Sequence, residues 1–159
     1  MDLMAENQGR LDGLAVLRKM MADGRGPPIA ATLRFGLAEI ERGRAVFRAT
    51  PGPHAYNPIG VVHGGYAATL LDSACGCAVH SMLSSTQGYT TLELKVAYLR
   101  ALTSDTGAVE AEGKIVSIGR RVGFAEAWLR DAQGRLLASA TSTLLVFELP
   151  PAQADPVRS

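Results

Sequence analysis

The chain has 159 residues, of which 47% are apolar, and its 16 basic and 15 acidic residues leave a formal net charge of +1. This length suits one domain, and the apolar content excludes intrinsic disorder of the whole chain. The balanced charge argues against a broad nucleic-acid surface, because such a surface needs a clustered basic excess.

Cys75 and Cys77 lie two residues apart in a segment with helical character. Such neighbours point in different directions, so we expect no disulfide between them and treat both as small buried hydrophobes. Together with three histidines they lack the spacing of a zinc site, so no metal is expected. Residues 1–10 are polar and look frayed rather than like a secretory signal, and no apolar run reaches the roughly 20 residues of a membrane span. We therefore expect a cytoplasmic protein without a membrane partner.

The first half of the chain predicts a helix, two strands and a longer helix. Residues 11–24 have helical apolar spacing that ends at Gly24. Strand-like stretches follow near residues 31–41 and 44–49, joined by a turn, and the proline-rich stretch after them is a loop. From Gly64 to about Leu83 the chain predicts a long, mostly apolar helix.

The second half reads as four strands, over residues 90–100, 108–118, 122–130 and 136–147. In the first of them, simple alternation puts Leu92, Leu94, Val96 and Tyr98 on one face and Thr91, Glu93 and Lys95 on the other.

Strands separated by turns favour an antiparallel sheet, and a helix this apolar needs cover on most sides. The expected fold class is α+β, with the sheet curved around the long helix. We assign residues 1–29 to an N-terminal helix and linker, 30–150 to the domain, and 151–159 to a flexible tail.

The long helix has two unlike faces when its residues are placed at about 100° intervals. The apolar face comprises Ala67, Leu70, Leu71, Ala74 and Ala78, and the small or polar face comprises Thr69, Asp72, Ser73, Gly76 and His80. A carboxylate in an apolar setting is costly unless it is paired. Asp72 is therefore either a surface acid that accepts hydrogen bonds from Ser73 or Thr91, or a catalytic carboxylate in a dry cleft.

The start of this helix carries two glycines. The first backbone N–H groups of a helix have no partner within it, and Gly64 and Gly65 leave them open to a ligand oxygen. This geometry suits an oxyanion or a polarised carbonyl. The alternative is that the glycines serve only a tight turn and that His63 serves only as a helix cap.

The residues of this region match a family motif. The stretch NPIGVVHGGYAATLLD, residues 57–72, resembles the signature of hotdog-fold acyl-CoA thioesterases of the phenylacetate-degradation (PaaI-like) type. Residues 119–147 resemble the closing strands of that family. The resemblance implies a hotdog fold, in which a curved antiparallel sheet of five to six strands wraps a long central helix. It also implies a homodimer whose sheets join edge to edge, commonly doubled to a homotetramer.

The resemblance also implies roles for individual residues. Asp72 falls on the catalytic carboxylate, and Gly64 on the glycine whose N–H contacts the thioester carbonyl. Asn57 falls on the amide that positions the carbonyl or water, Thr91 on the hydroxyl that holds the attacking water, and His63 on a supporting position. One subunit would supply Asp72 and Thr91, and the other Asn57 and Gly64.

The expected reaction is hydrolysis of an acyl-CoA, with an aryl or medium-chain acyl group, and no cofactor, because coenzyme A is part of the substrate. Asp72 would act as general base or as nucleophile, and the sequence does not separate these routes. Arg120 and Arg121 are candidates for holding the coenzyme A phosphates, with Arg100 and Arg135 as alternatives. A non-catalytic acyl-CoA sensor and a hotdog acyl-thioester dehydratase are the competing functions.

Overall fold

The computed structural model describes residues 11–150, and the expected frayed start and the tail at 151–159 lie outside them. Helix α1 spans Gly13–Ala22, close to the predicted helix over 11–24. The Asp12 carboxylate accepts a 2.8 Å hydrogen bond from the Ala15 N–H, which satisfies one of the open donors at the start of the helix.

A second helix, α2, spans Pro28–Leu33 and corrects the prediction that a strand begins near Ala31. Proline at the first position of a helix costs no hydrogen bond and supplies a helical φ, so the two prolines start this helix. Arg34 then adopts a left-handed conformation with φ of 57°, and this turn delays the first strand to Phe35.

Within residues 11–150, six strands form a single antiparallel sheet, which confirms the predicted α+β class. Their order in the sheet is β1-β2-β4-β5-β6-β3. The strands are β1 Phe35–Glu41, β2 Arg44–Ala49, β3 Gln87–Tyr98, β4 Val109–Ile118, β5 Val122–Asp131 and β6 Leu136–Glu148. Helices α1 and α2 contact β1 at one edge, and β3 forms the opposite edge.

The long helix α3 spans Gly64–His80 and contacts all six strands. The predicted apolar face is confirmed, because its five residues are at most 1% exposed; they are Ala67, Leu70, Leu71, Ala74 and Ala78. Gly113 on β4 lets the helix approach closely, since a Cβ there would overlap the Ala74 carbonyl. None of the helices among residues 11–150 is both long and apolar enough to cross a membrane.

Strand β3 contains a bulge that corrects the simple alternation predicted for it. The pairing register with β6 shifts between Thr91 and Glu93, which adds one residue, and Leu92 is 59% exposed. Because an extra residue reverses the alternation beyond it, Thr91 and Leu94 both face the helix side of the sheet. The prediction that placed these two residues on opposite faces is wrong for this physical reason.

Candidate active site

The first turn of α3 has one open backbone donor rather than the two expected. His63 precedes the helix, and its Nδ1 accepts a 2.8 Å hydrogen bond from the Gly65 N–H. The Tyr66 N–H donates to the His63 carbonyl oxygen at 2.9 Å. We find no partner within residues 11–150 for the Gly64 N–H, so this amide is the donor left for a ligand oxygen.

A different neighbouring side chain limits the room for a Cβ at each of the two glycines. A Cβ on Gly65 would lie 2.9 Å from His63 Nδ1 and would displace the capping ring. A Cβ on Gly64 would lie 3.2 Å from the Tyr98 hydroxyl oxygen, a tight contact. A larger residue at position 65 is thus opposed by the capping ring, whereas a methyl group at position 64 would require only a small shift of the Tyr98 ring.

Asp72 lies two turns into the same helix and is hydrogen-bonded to Thr91, the threonine predicted for this site. The Thr91 hydroxyl donates a 3.0 Å hydrogen bond to Asp72 Oδ1, and both residues are half-buried. None of the ion pairs found within residues 11–150 involves Asp72. The carboxylate is therefore oriented by a neutral hydroxyl rather than neutralised by a cation, which leaves it able to accept a proton or attack a carbonyl.

The negative charge of Asp72 acts on the two cysteines of the helix. Burial, and secondarily the charge of Asp72, raises the pKa of Cys75 and of Cys77 to about 12. At such values the thiols stay protonated near neutral pH, so neither is a nucleophile. Cys75 is fully buried and Cys77 is partly buried, and both are free.

Within one protomer, Asp72 and Gly64 do not meet. They are eight residues apart on one helix, and at about 1.5 Å per residue this separates them by about 12 Å along the axis. A ligand oxygen bound to the Gly64 amide is therefore out of reach of the same chain's Asp72.

Asn57 holds the loop that leads into the helix. Its Oδ1 accepts hydrogen bonds from the Ile59 N–H at 3.1 Å and the Val61 N–H at 3.3 Å. Its backbone N–H donates to the Val61 carbonyl at 2.8 Å. With the oxygen held by the loop, the donor end of the Asn57 side chain has no partner among residues 11–150 and is free to donate to a ligand.

A groove of about 290 Å³ opens beside the Gly64 amide. Its lining combines the start of α3 with the end of β3 and the segment after it: Val62, His63, Gly64, Ala67, Tyr98, Leu99, Arg100, Ala101 and Leu102. The Tyr98 hydroxyl donates a 2.8 Å hydrogen bond to the Gly64 carbonyl oxygen. Sequence analysis did not find Tyr98 as a site residue, because nothing local indicates that the end of β3 reaches the start of α3.

Arg120 and Arg121 lie at the other end of the molecule from this groove. They form the exposed turn between β4 and β5, which adjoins the end of α3 because a Cβ on Gly123 would meet Val79 at 3.2 Å. Val79 is 15 residues beyond Gly64, or about 22 Å along the helix. Arg100 does line the groove, and it donates a 2.6 Å hydrogen bond to the Leu136 carbonyl oxygen.

Two sequence comparisons bear on this arrangement. The family model of the thioesterase superfamily matches residues 59–138, a range that contains Gly64, Asp72 and Thr91. A protein of Halobacterium salinarum that carries the name of an esterase is 44% identical over 69 residues. That match covers 42% of this chain and 44% of the relative, so the chain spans less than half of the length of this curated relative.

The fold is similar to that of several solved structures. A thioesterase from Haemophilus influenzae has a TM-score of 0.74 at 19% identity, covering 89% of this chain and 94% of its own. A thioesterase family protein from Silicibacter pomeroyi has a TM-score of 0.73 at 24% identity, covering 91% and 98%. The PaaI protein from the phenylacetic acid degradation operon of E. coli has a TM-score of 0.74 at 18% identity, covering 85% and 94%. These similarities confirm the predicted hotdog fold.

Proposed function

Because the chain belongs to the thioesterase superfamily, we propose that it hydrolyses the thioester bond of an acyl-CoA with an aryl or medium-chain acyl group. The observation that carries this proposal is the pair of half-sites on α3. One half is the unengaged Gly64 amide beside a groove, and the other is the Asp72 carboxylate held by Thr91. An oxyanion donor and an oriented carboxylate are the two groups that acyl transfer to water requires.

The half-sites are joined by a second copy of the chain. Strand β3 is an edge strand of 12 residues, with Leu92 59% and Tyr98 54% exposed. Open edges of this kind pair readily with another strand. An antiparallel pairing of β3 with its copy sets the two α3 helices in opposite directions, so that Asp72 of one protomer faces Gly64 of the other.

The contacts within each protomer support a particular register for this pairing. Thr91 lies at Asp72 and Tyr98 lies at Gly64. For the two half-sites to meet, Thr91 of one chain must lie near the partner's Tyr98, which centres the pairing near Leu94 and Lys95. The resulting assembly is a homodimer. We propose in addition that two such dimers associate into a homotetramer.

The reaction follows from these positions. The Gly64 N–H and the Asn57 side chain stabilise the negative charge that develops on the thioester oxygen. In one route Asp72 takes a proton from a water held by Thr91 while the water oxygen attacks the carbonyl carbon. In the other route Asp72 attacks directly, and water then cleaves the mixed anhydride. In both routes the carbon–sulfur bond breaks and the thiolate of coenzyme A leaves, later taking up a proton.

The antiparallel pairing also gives Arg120 and Arg121 a role. It brings the end of α3 from one protomer toward the start of α3 in its partner, and the β4–β5 turn lies at that end. We assign the two guanidinium groups to the phosphates of a coenzyme A bound at the partner's Gly64. Their distance from Gly64 in their own chain supports binding across the dimer rather than within one protomer.

The test is a thiol-release assay with arylacetyl-, benzoyl- and medium-chain acyl-CoAs. Asp72→Asn and Asp72→Ala should each abolish release, whereas Asp23→Asn, the same change at an exposed helix end, should leave it unchanged. Unchanged release in both Asp72 variants would remove Asp72 from the mechanism. Tight binding of every acyl-CoA without release would instead establish a sensor, and hydration of an enoyl-CoA without release would establish a hydratase or dehydratase.

A further inference from the structure

Glycine has the most flexible backbone of all residues, yet the Gly64 N–H has to point in one direction, toward the oxyanion. Glycine populates a wide range of φ and ψ, so an unrestrained Gly64 would spread its N–H over many directions. Oxyanion stabilisation depends on donors fixed in place before the reaction. Some part of the structure must therefore restrain the backbone on both sides of Gly64.

The peptide unit before Gly64 is held by the entry loop and the first turn. Its carbonyl, on His63, accepts a hydrogen bond from the Tyr66 N–H at 2.9 Å. The preceding peptide unit is anchored to the entry loop by the His63 N–H, which donates to the Ala55 carbonyl at 2.7 Å. Because the C=O and N–H of a trans peptide point in opposite directions, a carbonyl bonded into the helix leaves the Gly64 N–H pointing outward. This single contact leaves the unit able to tilt, so the direction of the Gly64 N–H also depends on how the peptide unit on the other side of Gly64 is held.

The peptide unit after Gly64 is held at both ends by side chains. Its carbonyl oxygen, on Gly64, accepts the 2.8 Å hydrogen bond from the Tyr98 hydroxyl. Its N–H, on Gly65, donates the 2.8 Å hydrogen bond to His63 Nδ1. The tyrosine ring also lies against Gly64, since a Cβ there would meet its Cζ and hydroxyl oxygen at 3.2 Å.

From these contacts we infer that Tyr98 is a positioning residue for the oxyanion donor: its hydroxyl fixes the Gly64–Gly65 peptide and thereby aims the Gly64 N–H. Tyr98 acts through the backbone and does not transfer a proton. The inference rests on the proposed function, because it concerns the shared thioesterase site. It adds that β3 restrains both half-sites of one protomer, with Thr91 at Asp72 and Tyr98 at Gly64.

Tyr98→Phe removes the hydroxyl and keeps the ring against Gly64. A mispositioned oxyanion donor lowers kcat more than it raises KM, and we expect kcat to fall roughly tenfold, less than complete loss of a donor. Exchange of the Gly65 N–H with deuterium should accelerate, while that of Ala74 in the middle of α3 stays unchanged. Equal acceleration along the helix, or an unchanged kcat, would overturn the inference.

Heterodimers separate this inference from the proposed function. Chains are co-expressed with two affinity tags and purified through both. Gly64→Pro removes the donor at a helix position that accepts proline, and His63 before it has an extended ψ of 135°. Gly64→Ala keeps the N–H and serves as the steric control. Activity in the heterodimer of Asp72→Asn with Gly64→Pro establishes the shared site, and its absence refutes the proposed function itself.

With the shared site established, Tyr98→Phe is paired with each of these variants. In the pair with Asp72→Asn, the working site takes Asp72 from the Tyr98→Phe chain and Gly64 from the Asp72→Asn chain, which still has its Tyr98. Activity should therefore equal that of a wild-type chain paired with Asp72→Asn. In the pair with Gly64→Pro, the working site takes Asp72 from the Gly64→Pro chain and Gly64 from the Tyr98→Phe chain, where the hydroxyl is missing. Activity should therefore be roughly tenfold lower than that of a wild-type chain paired with Gly64→Pro. The reverse pattern would show that Tyr98 acts on Asp72 of its own chain and would overturn the inference.

Discussion

The Thr91 hydroxyl donates a 3.0 Å hydrogen bond to Asp72 Oδ1 and so ties edge strand β3 to the middle of α3. Thr91→Val keeps the size of the side chain and removes this bond. A hydrogen bond to a charged group contributes about 1.5–3 kcal/mol, so the loss of orientation should lower kcat roughly tenfold or more. Steady-state thiol release measures the effect. Thr91→Ser retains the hydroxyl and should keep most of the activity, and a defect of equal size in both variants would contradict this role.

The proposed pairing of β3 with its copy places Lys95 near the twofold axis, with its side chain on the exposed face of the strand. A Lys95→Cys variant should therefore be joined into covalent dimers by a short bismaleimide, as seen by denaturing electrophoresis. Cys75 and Cys77 give no background, because burial raises the pKa of each thiol to about 12.

Lys114→Cys is the matched control for cross-linking. Lys114 is an exposed lysine on β4, which lies inside the sheet and away from the free edge. We expect no cross-linked dimer from this variant at the concentration that links Lys95→Cys. Cross-linking of Lys114→Cys alone would place the contact between copies on the sheet face and contradict the pairing of β3.

The close approach of Gly113 to α3 predicts a large loss of stability on substitution. In Gly113→Ala the new Cβ would overlap the Ala74 carbonyl, and neither backbone can move without disturbing the core. Overpacking of this kind costs about 1–3 kcal/mol, and we expect the upper part of that range in the free energy of unfolding, measured with denaturant. Gly36→Ala, on β1 with no atom within 4 Å, should be nearly neutral. Similar losses in both variants would indicate a general cost of alanine in strands.

The hairpin between β5 and β6 predicts a pH-dependent stability. The buried Asp131 carboxylate accepts hydrogen bonds from the backbone of Gln133 at 3.0 Å and of Arg135 at 2.9 Å, and pairs with the Arg135 guanidinium at 2.6 Å. Burial raises the pKa of Asp131, but the hydrogen bonds and charge of Arg135 outweigh it, and the pKa lies below the ordinary value. Because the pKa is lowered in the folded state, the carboxylate stabilises the fold fully at pH values above the unfolded pKa of about 3.9. This stabilisation is lost as the pH falls from there through the lower pKa of the folded state.

Asp131→Asn tests this sign. The variant should lower Tm at pH 7, and the difference in Tm from wild type should shrink as the pH falls below about 4, where the unfolded wild-type carboxylate is protonated first and the folded one follows at a lower pH. Thermal unfolding followed by circular dichroism at several pH values measures both. Asp23→Asn, at an exposed helix end, should show a small difference at every pH. A Tm difference for Asp131→Asn that grows toward acidic pH would contradict the assignment.

Much of the fold and part of the site could be predicted from the chain itself. Three features depend on residues that are close together in sequence. They are the apolar face of α3, the positions of the four strands in the second half, and the family motif at residues 57–72. Helical spacing, alternation and glycine placement are local, because they reflect the geometry of one element. These features identified Asp72 and Gly64 as candidates, and the family resemblance added Thr91 to the same site.

Contacts between distant segments could not be read in this way. The bulge at Leu92, which turns Thr91 toward Asp72, depends on the register between β3 and β6. The Tyr98 hydroxyl reaches the Gly64 carbonyl because the end of β3 lies beside the start of α3. The short helix α2 was not predicted, because consecutive prolines are found both after the end of one helix and at the start of another.

The sequence by itself determined which elements form and which residue types carry the chemistry, since hydrophobic periodicity and turn residues act within each segment. Only the tertiary structure decided that the bulge at Leu92 turns Thr91 toward Asp72 and that Tyr98 holds the peptide beside the Gly64 amide. The physical reason is that hydrogen-bond distance between remote residues is set by strand register and by the packing of helix on sheet, and no single segment encodes either.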